Sequence, residues 1–357
     1  MPESVMRPLK EVLFSGYIGE GPQVERFERG LIPWFGSNNI LALNNGTSAI
    51  HLALRLSNVG YGDEVISTPV TCVATNEPVL AMGAKIIWAD IDPYTGNIDP
   101  EDVAKKITAK TKAIIAVDWG GYPCELDALS RLASRHGIKL IEDACHAFGA
   151  TYLGKQVGSI SDFTCFSFQA IKEITTVDGG ALVCKTRGDF ERGRLLRWYG
   201  IDRKGNRKDF RCESDIKEFG YKFHMNDVAA TIGIEQLKYV EGNLKKTRNN
   251  AARYNDIFFK LNDIEPLRYK NDRVSSYWLY TLRVKKPAKF MDWMNDAKIA
   301  VSRVHARNDK HAIFKDSIAG LPGVDDFMSR QMCIPVGWWL SPKDVSYIIN
   351  VVTGYKA

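Results

Sequence analysis

The sequence predicts an α/β fold built on a parallel-rich sheet, followed by a smaller α+β unit. Three observations carry this. Short apolar runs recur at regular intervals, helical patterns separate several of them, and the texture changes past residue 225. "NNILAL" (38–43) reads as a first strand and "GTSAIHLALRL" (46–56) as a helix. "EVIST" (64–68), "AKIIWAD" (84–90), "KAIIAVDW" (112–119) and "IKLIEDA" (138–144) follow as strands. Continuous runs without alternation suit strands buried on both faces. Between the last two, "ELDALSRLASRHG" (125–137) sets Leu126, Leu129 and Leu132 on one helical face before a terminal glycine. This order argues for parallel strands joined through helices.

The later part reads differently. Residues 226–261 are long helical material with Asn226 as N-cap. "SSYWLYTLRV" (275–284) reads as a strand, "KFMDWMNDAKI" (289–299) as a helix, and "QMCIPVGWW" (331–339) contains another strand. Ser341-Pro342 with Asp344 opens a final helix. A boundary near residue 240 divides a large domain, 1–240, from a small one, 241–357.

Composition excludes several classes. With 45% apolar and 25% charged residues in 357, the chain is an ordinary globular one. Its seven cysteines stand at unrelated spacings without a CxxC pair, so neither a disulfide framework nor a metal site is expected. The first residues lack an apolar signal core, and no run approaches a membrane span. A cytoplasmic protein without membrane contact is the expectation. The net charge of +6 is mild. Basic residues thicken at Arg203, Lys204, Arg207, Lys208 and Arg211 and at Lys245, Lys246 and Arg248. No aromatic-interleaved basic ribbon accompanies them, so nucleic acid is not an expected partner. They read as a solvated face that could also attract an anionic small substrate.

"CFSFQAIKEITTVDGGALV" (165–183) places one lysine, Lys172, in the turn after a buried strand. In open α/β sheets ligands gather beyond the carboxyl ends of the strands. "IKLIEDA" ends in Asp143 and "DFTCFSF" ends just before Lys172, so both side chains could reach that edge. "LALNNGTSAI" adds a small-residue turn at Asn45-Gly46, a helix start with free N–H groups, and the hydroxyls of Thr47 and Ser48. A phosphate clamp, a carboxylate and an isolated lysine suit pyridoxal 5'-phosphate. Its aldehyde needs an amine for a Schiff base, and its pyridine nitrogen needs an anionic partner. Each piece alone has a plainer reading: a solvent-facing lysine, a capping or metal-binding Asp143, a structural turn.

Together the segments resemble the DegT-type sugar aminotransferases, which are fold-type I pyridoxal-phosphate enzymes. The resemblance runs through "SGYIGEGPQVERFE" (15–28), "NNGTSAIHLAL" (44–54), residues 120–183, "RWYGIDR" (197–203), "GYKFHMNDVAATIGIEQL" (220–237) and "SYWLYTLRV" (276–284). It implies an aspartate-aminotransferase-like large domain with a mostly parallel seven-stranded sheet, and a homodimer whose sites are completed by the partner. It makes Lys172 the Schiff-base lysine, Asp143 the partner of the ring nitrogen, and Ser167, Thr47 and Ser48, beside Gly46, the phosphate site. Cys72 stands where an aromatic ordinarily stacks on the cofactor, and Gln169 where a histidine is more usual. His146 replaces a glutamine; it could donate to the cofactor's phenolic oxygen or be a packed histidine without contact. Lys222 replaces an asparagine that reaches the neighbouring subunit's phosphate; it could do that job or be an exposed lysine.

The activity implied is transfer of an amino group, from an amino acid such as glutamate to a nucleotide-linked keto-sugar, in amino-sugar and surface-polysaccharide biosynthesis. Pyridoxamine phosphate forms during turnover. Tyr17, in the N-terminal segment, and Arg303, His305 and Arg307 are substrate-binding candidates. An anionic acceptor of another kind, a small phosphorylated ketone or an unactivated sugar acid, would suit the same residues. Relatives with histidine at the lysine position act as sugar dehydratases, and Lys172 argues against that here. The rival from another class is a regulatory protein that keeps the fold and the cofactor without turnover.

Overall fold

The computed structural model describes residues 1–203, 205, 215–317 and 320–357, with the side chains of 315–317 left out. Lys204, Arg207, Lys208 and Arg211 of the basic segment lie outside the described residues. The elements run α1 (Met6–Leu13), α2 (Pro22–Phe35), β1 (Ile40–Leu43), α3 (Gly46–Leu56), β2 (Glu64–Ser67), α4 (Val73–Ala81), β3 (Lys85–Trp88), α5 (Pro100–Lys106), β4 (Thr111–Val117), α6 (Leu126–His136) and β5 (Lys139–Asp143). There follow β6 (Thr151–Tyr152), β7 (Lys155–Gln156), β8 (Phe163–Ser167), β9 (Gly180–Cys184), α7 (Arg187–Leu196), α8 (Asp227–Phe258), β10 (Ile264–Pro266) and β11 (Arg273–Val274). The chain ends in β12 (Tyr280–Val284), α9 (Pro287–Asp296), α10 (Pro322–Arg330), β13 (Gln331–Ile334) and α11 (Pro342–Gly354).

Seven strands form the main sheet in the order β1-β9-β8-β5-β4-β2-β3. Pairs β2–β3, β2–β4, β4–β5 and β5–β8 are parallel, while β9 runs antiparallel to both β1 and β8. The mostly parallel seven-stranded sheet is therefore present. Its middle strands are buried on both faces: Ile114, Ile115, Ala116, Leu140 and Ile141 are wholly inaccessible. Because β5 and β8 are parallel neighbours, with Asp143 opposite Cys165, their carboxyl ends meet at one edge. The smaller three-stranded antiparallel sheet β10-β12-β13 packs with α9 and α11 around Phe290, Met294, Leu282 and Val352.

Local signals explain the element ends. Asn45 caps α3 by accepting from the Ser48 N–H at 2.7 Å, and Asn226 caps α8 by accepting from the Ala229 N–H at 2.8 Å. Gly137 ends α6 in the left-handed conformation, with φ 66°. At α11, the Ser341 hydroxyl accepts from the Asp344 N–H at 3.2 Å and Asp344 accepts from the Ser341 N–H at 2.8 Å. Ser341→Ala removes one half of this capping box and should lower stability by about 1 kcal/mol in denaturant titration. The 32 residues of α8 run unbroken through the boundary expected near residue 240. Val240 and Leu244 pack with the main-sheet residues, whereas Ala251, Tyr254 and Phe258 join the small-domain cluster.

One strand starts later than its sequence suggests. Residues 275–279 are not extended into β12. The Ser276 N–H donates to Gly121 O at 3.0 Å, the Leu279 N–H donates to Gly120 O at 3.2 Å, and Tyr277 takes a φ of 56°. This turn throws Trp278 across the edge of the main sheet. No described helix is long and apolar enough to cross a membrane.

Candidate active site

At the carboxyl edge of β5 and β8 lies a cleft of about 330 Å³. Gly46, Thr47, Cys72, Thr75, Asp143, His146, Ser167, Gln169, Lys172, Asp178, Trp278 and His305 line it. Separate stretches of chain from Gly46 to His305 thus converge on one place.

The floor is set by the alternation of β5. Successive side chains of a strand point to opposite faces, so Glu142 and Asp143 part company. Glu142 turns away and accepts from the hydroxyls of Ser161 and Thr164, both at 2.9 Å. Burial raises its proton affinity, and does so more strongly for Asp118 beside it. Asp143, only 4% exposed, turns into the cleft. Its Oδ2 accepts from the Thr75 hydroxyl at 2.7 Å and its Oδ1 from the Cys145 N–H at 3.2 Å. Thr75 is itself joined to Thr71 at 2.8 Å. Two donors fix the rotamer of Asp143 at the floor of the cleft. Thr75→Val removes the hydroxyl from a buried carboxylate and should cost about 1.5–3 kcal/mol of stability, measured by urea unfolding.

One wall is the start of α3. Asn45 takes the Ser48 N–H, which leaves the amides of Gly46 and Thr47 without partners inside the helix. Ser48 is buried and is not among the lining residues, while Thr47 and Ser167 are. A Cβ at Gly46 would lie 2.9 Å from Cys145 Sγ and 3.0 Å from Ser167 Cβ, so only glycine lets the helix start come this close to β8. Free amides, a helix dipole and two hydroxyls are groups that could hold an anion.

Lys172 stands on a loop tied tightly at its base. The Phe168 N–H donates to Gly179 O at 2.8 Å and the Thr176 N–H donates to Phe168 O at 2.9 Å. The Thr175 hydroxyl donates to the same Phe168 oxygen at 3.3 Å, and the Thr176 hydroxyl to Asp178 O at 2.9 Å. A Cβ at Gly179 would lie 2.0 Å from Thr176 Oγ1. The Thr/Gly stretch after the lysine is thus a clasp that holds the loop at the sheet edge.

Above the lysine sits an aromatic stack. Lys172 Nζ lies 3.9 Å from the Trp278 ring centroid, and Trp278 stacks on His146 at 3.8 Å and 18°. The Trp278 indole N–H donates to Ile171 O at 2.9 Å, which joins the stack to the lysine loop. Burial, reinforced by the nearby charge of Lys172, holds His146 well below the usual histidine range, and His305 is lowered in the same way. Both imidazoles are therefore neutral near pH 7. His146 Nδ1 and His305 Nε2 are buried and have no hydrogen-bond partner within the chain. Orphaned polar atoms beside free amides are what a polar ligand would satisfy.

The remaining candidates are placed as follows. Cys72 lines the cleft as the residue preceding α4, and Gln169 lines it with its Oε1 accepting from the Ile171 N–H at 3.1 Å. Lys222 is exposed and outside the cleft, its Nζ 5.1 Å from the Trp198 ring centroid. Tyr17, 49% exposed, donates to Glu20 O at 2.8 Å and accepts from Arg203 at 3.0 Å. Of the C-terminal trio, His305 faces the cleft. Arg307 is taken up by Asp309, at 2.7 and 2.8 Å, and by Asp325, and Arg303 donates to Met328 O. Thr75, Asp178 and Trp278 were not singled out from sequence. Nor was Asn308, fully buried, which donates to Thr71 O at 2.8 Å and accepts from Asn76 at 2.7 Å. These bonds dock the His305 segment onto the start of α4.

A profile of the DegT/DnrJ/EryC1/StrS aminotransferase family matches residues 2–353. The chain is 32% identical to the UDP-4-amino-4,6-dideoxy-N-acetyl-beta-L-altrosamine transaminase of Campylobacter jejuni, over 97% of this chain and 92% of that protein. The crystal structure of the sugar aminotransferase CalS13 from Micromonospora echinospora superposes with a TM-score of 0.96 at 36% identity, covering 99% of this chain and 98% of that one. Spr1654 from Streptococcus pneumoniae, solved in a form named for PLP, gives a TM-score of 0.91 at 28% identity, with coverage of 99% and 96%. A match over nearly the whole length, on a fold whose sheet edge carries the lysine and the acid, leaves one assignment: the chain belongs to the DegT/DnrJ/EryC1/StrS family of sugar aminotransferases.

Proposed function

We propose that this chain is a pyridoxal 5'-phosphate-dependent aminotransferase that moves an amino group from glutamate to a nucleotide-linked keto-sugar, and that it works as a homodimer. One observation carries the reading: Lys172, Asp143 and the open start of α3 line a single cleft. When bound, pyridoxal phosphate supplies an aldehyde that exchanges amines and a ring that takes up the electron pair left at the amino-acid α-carbon.

The residues divide the remaining work. The amides of Gly46 and Thr47, with the hydroxyls of Thr47 and Ser167, would take the phosphate. Asp143, oriented by Thr75, would keep a proton on the ring nitrogen. His146, neutral and with Nδ1 free, would meet the phenolic oxygen. Cys72 would pack on the ring with less area than an aromatic. Lys172 would anchor the aldehyde, then, once released, hold and return the proton at the substrate α-carbon. His305 would meet the substrate from the small-domain side.

The dimer proposal draws on exposed apolar side chains near the cleft and the N-terminus. Ile171 is 66%, Val177 57% and Phe14 82% exposed. A partner subunit would cover these side chains, and the partner's Lys222 would then reach the phosphate. Tyr17 would face substrate in the same assembly.

Single-turnover spectroscopy tests the reaction. Glutamate added to cofactor-loaded protein should convert the lysine-bound absorbance to that of the pyridoxamine form and release one 2-oxoglutarate per site. A panel of nucleotide-linked and free keto-sugars, read by mass, should then give one aminated nucleotide sugar. Absence of 2-oxoglutarate from glutamate would reject the donor. Amination of free or simply phosphorylated ketones alone would reject the acceptor class.

A further inference from the structure

Trp278 is held from several sides at once. Its turn is received by Gly120 and Gly121, whose carbonyls accept from the Leu279 N–H at 3.2 Å and the Ser276 N–H at 3.0 Å. Both glycines have positive φ, 60° and 94°. A Cβ at Gly121 would collide with Ser276 Oγ and lie 2.6 Å from His146 O, so only glycine lets the turn approach this closely. The Ser276 hydroxyl donates to that same His146 oxygen at 2.6 Å. The indole itself stacks on the His146 ring, and its N–H donates to Ile171 O at 2.9 Å. The ring is thus fastened to the residue that precedes the lysine. Lys172 Nζ then rests 3.9 Å from the indole centroid.

The proposed reaction asks two things of this lysine. Its amine is bonded to the cofactor aldehyde at the start and the end of each half-reaction. In between it is free, and must stay beside the reacting carbons. There it takes the proton from the substrate α-carbon, the electron pair passing to the cofactor ring. As an ammonium it gives that proton to the cofactor's exocyclic carbon, and the pair returns with it. A lysine side chain is a flexible four-carbon stem, so a free one needs something to keep it in place. An indole face attracts an ammonium electrostatically. Its only polar group is a donor, so it does not compete for the proton in transit.

We propose that Trp278 is a positioning residue for the released Lys172: its indole face holds the amine over the cleft between the two proton transfers. The inference rests on the reading of Lys172 as the amine that binds the aldehyde and moves the proton. It also explains why the chain spends two left-handed glycines and three side-chain hydrogen-bond or stacking contacts on one half-buried ring.

Two measurements test it. The first uses the full chain before cofactor is added, labelled with 13C at lysine Cε. The indole ring current should shift the Lys172 Cε–H signals upfield of the other lysines, with Lys172→Arg as the assignment control. Trp278→Leu should abolish that shift. The second is the glutamate half-reaction of cofactor-loaded protein at saturating glutamate. Trp278→Leu should slow it about tenfold, which is about 1.4 kcal/mol at the barrier. Trp278→Phe keeps an aromatic face without the N–H and should stay within about threefold of wild type. Unshifted Lys172 signals in wild type, a Trp278→Leu variant as fast as wild type, or a Trp278→Phe variant as slow as Trp278→Leu would each overturn the inference. If Trp278→Leu fails to fold, Trp278→Met, which fills the space without an aromatic face, takes its place, and the wild-type shift stands independently of both. Borohydride reduction of the cofactor-loaded wild type keeps the two readings apart. A tag on Lys172 together with any of those results sinks the role of Trp278 only. No tag on Lys172 sinks the reading on which it rests.

Discussion

Lys172→Ala should reduce aminotransferase turnover by at least about 10³-fold, because in the proposed reaction one side chain supplies both the anchoring amine and the group that moves the α-carbon proton. Half-buried on a clasped loop, Lys172 has the Trp278 ring as its aromatic neighbour at 3.9 Å. A cation–π contact at such a half-buried position is worth about 0.5–2 kcal/mol. The variant should thus unfold close to wild type, which separates lost chemistry from lost structure. The phosphate site proposed at Gly46, Thr47 and Ser167 does not involve the lysine, so the variant should still take up cofactor, more weakly and without the absorbance of the lysine-bound form. Full turnover in this variant would place the amine elsewhere.

Asp143→Asn carries the second large effect. Asparagine has nearly the same shape, and the Thr75 hydroxyl can turn to accept from the new amide while donating to Thr71, 2.8 Å away. Folding should therefore change by about 1 kcal/mol. The charge behind the ring nitrogen is gone, however, and with it the fixed electrostatic support for the carbanion-like electron pair. Loss of one such preorganised group costs on the order of 10²–10³ in kcat. The glutamate half-reaction, followed by stopped-flow absorbance, should slow by that factor while cofactor remains bound. A variant as fast as wild type would show that the ring nitrogen needs no anion here.

Much of this site was legible because its parts are local. The strand–turn–helix of residues 40–56 shows in the sequence as an apolar run, an Asn-Gly turn and an amphipathic helix, and α3 begins and ends where that pattern does. Asp143 and Lys172 each follow a buried strand, so their shared edge follows from strand direction alone. Trp278 was hidden for the opposite reason. Its neighbourhood alternates like a strand, but backbone bonds to Gly120 and Gly121, over 150 residues earlier, hold it as a turn. The same applies to the Asn308–Asn76 contact, which spans 232 residues. Arg307 looked from sequence like an anion binder. Asp309, two residues on, and Asp325 occupy its guanidinium, and charge counting along a segment does not reveal such pairing. His146 and His305 share the cleft through the same long-range packing, which also makes them neutral.

The most direct measurement is borohydride reduction of the protein incubated with pyridoxal phosphate, followed by peptide mapping. The account predicts a single phosphopyridoxyl tag, on Lys172 in the segment "FQAIKEITT". A tag on any other lysine, or none, would contradict it.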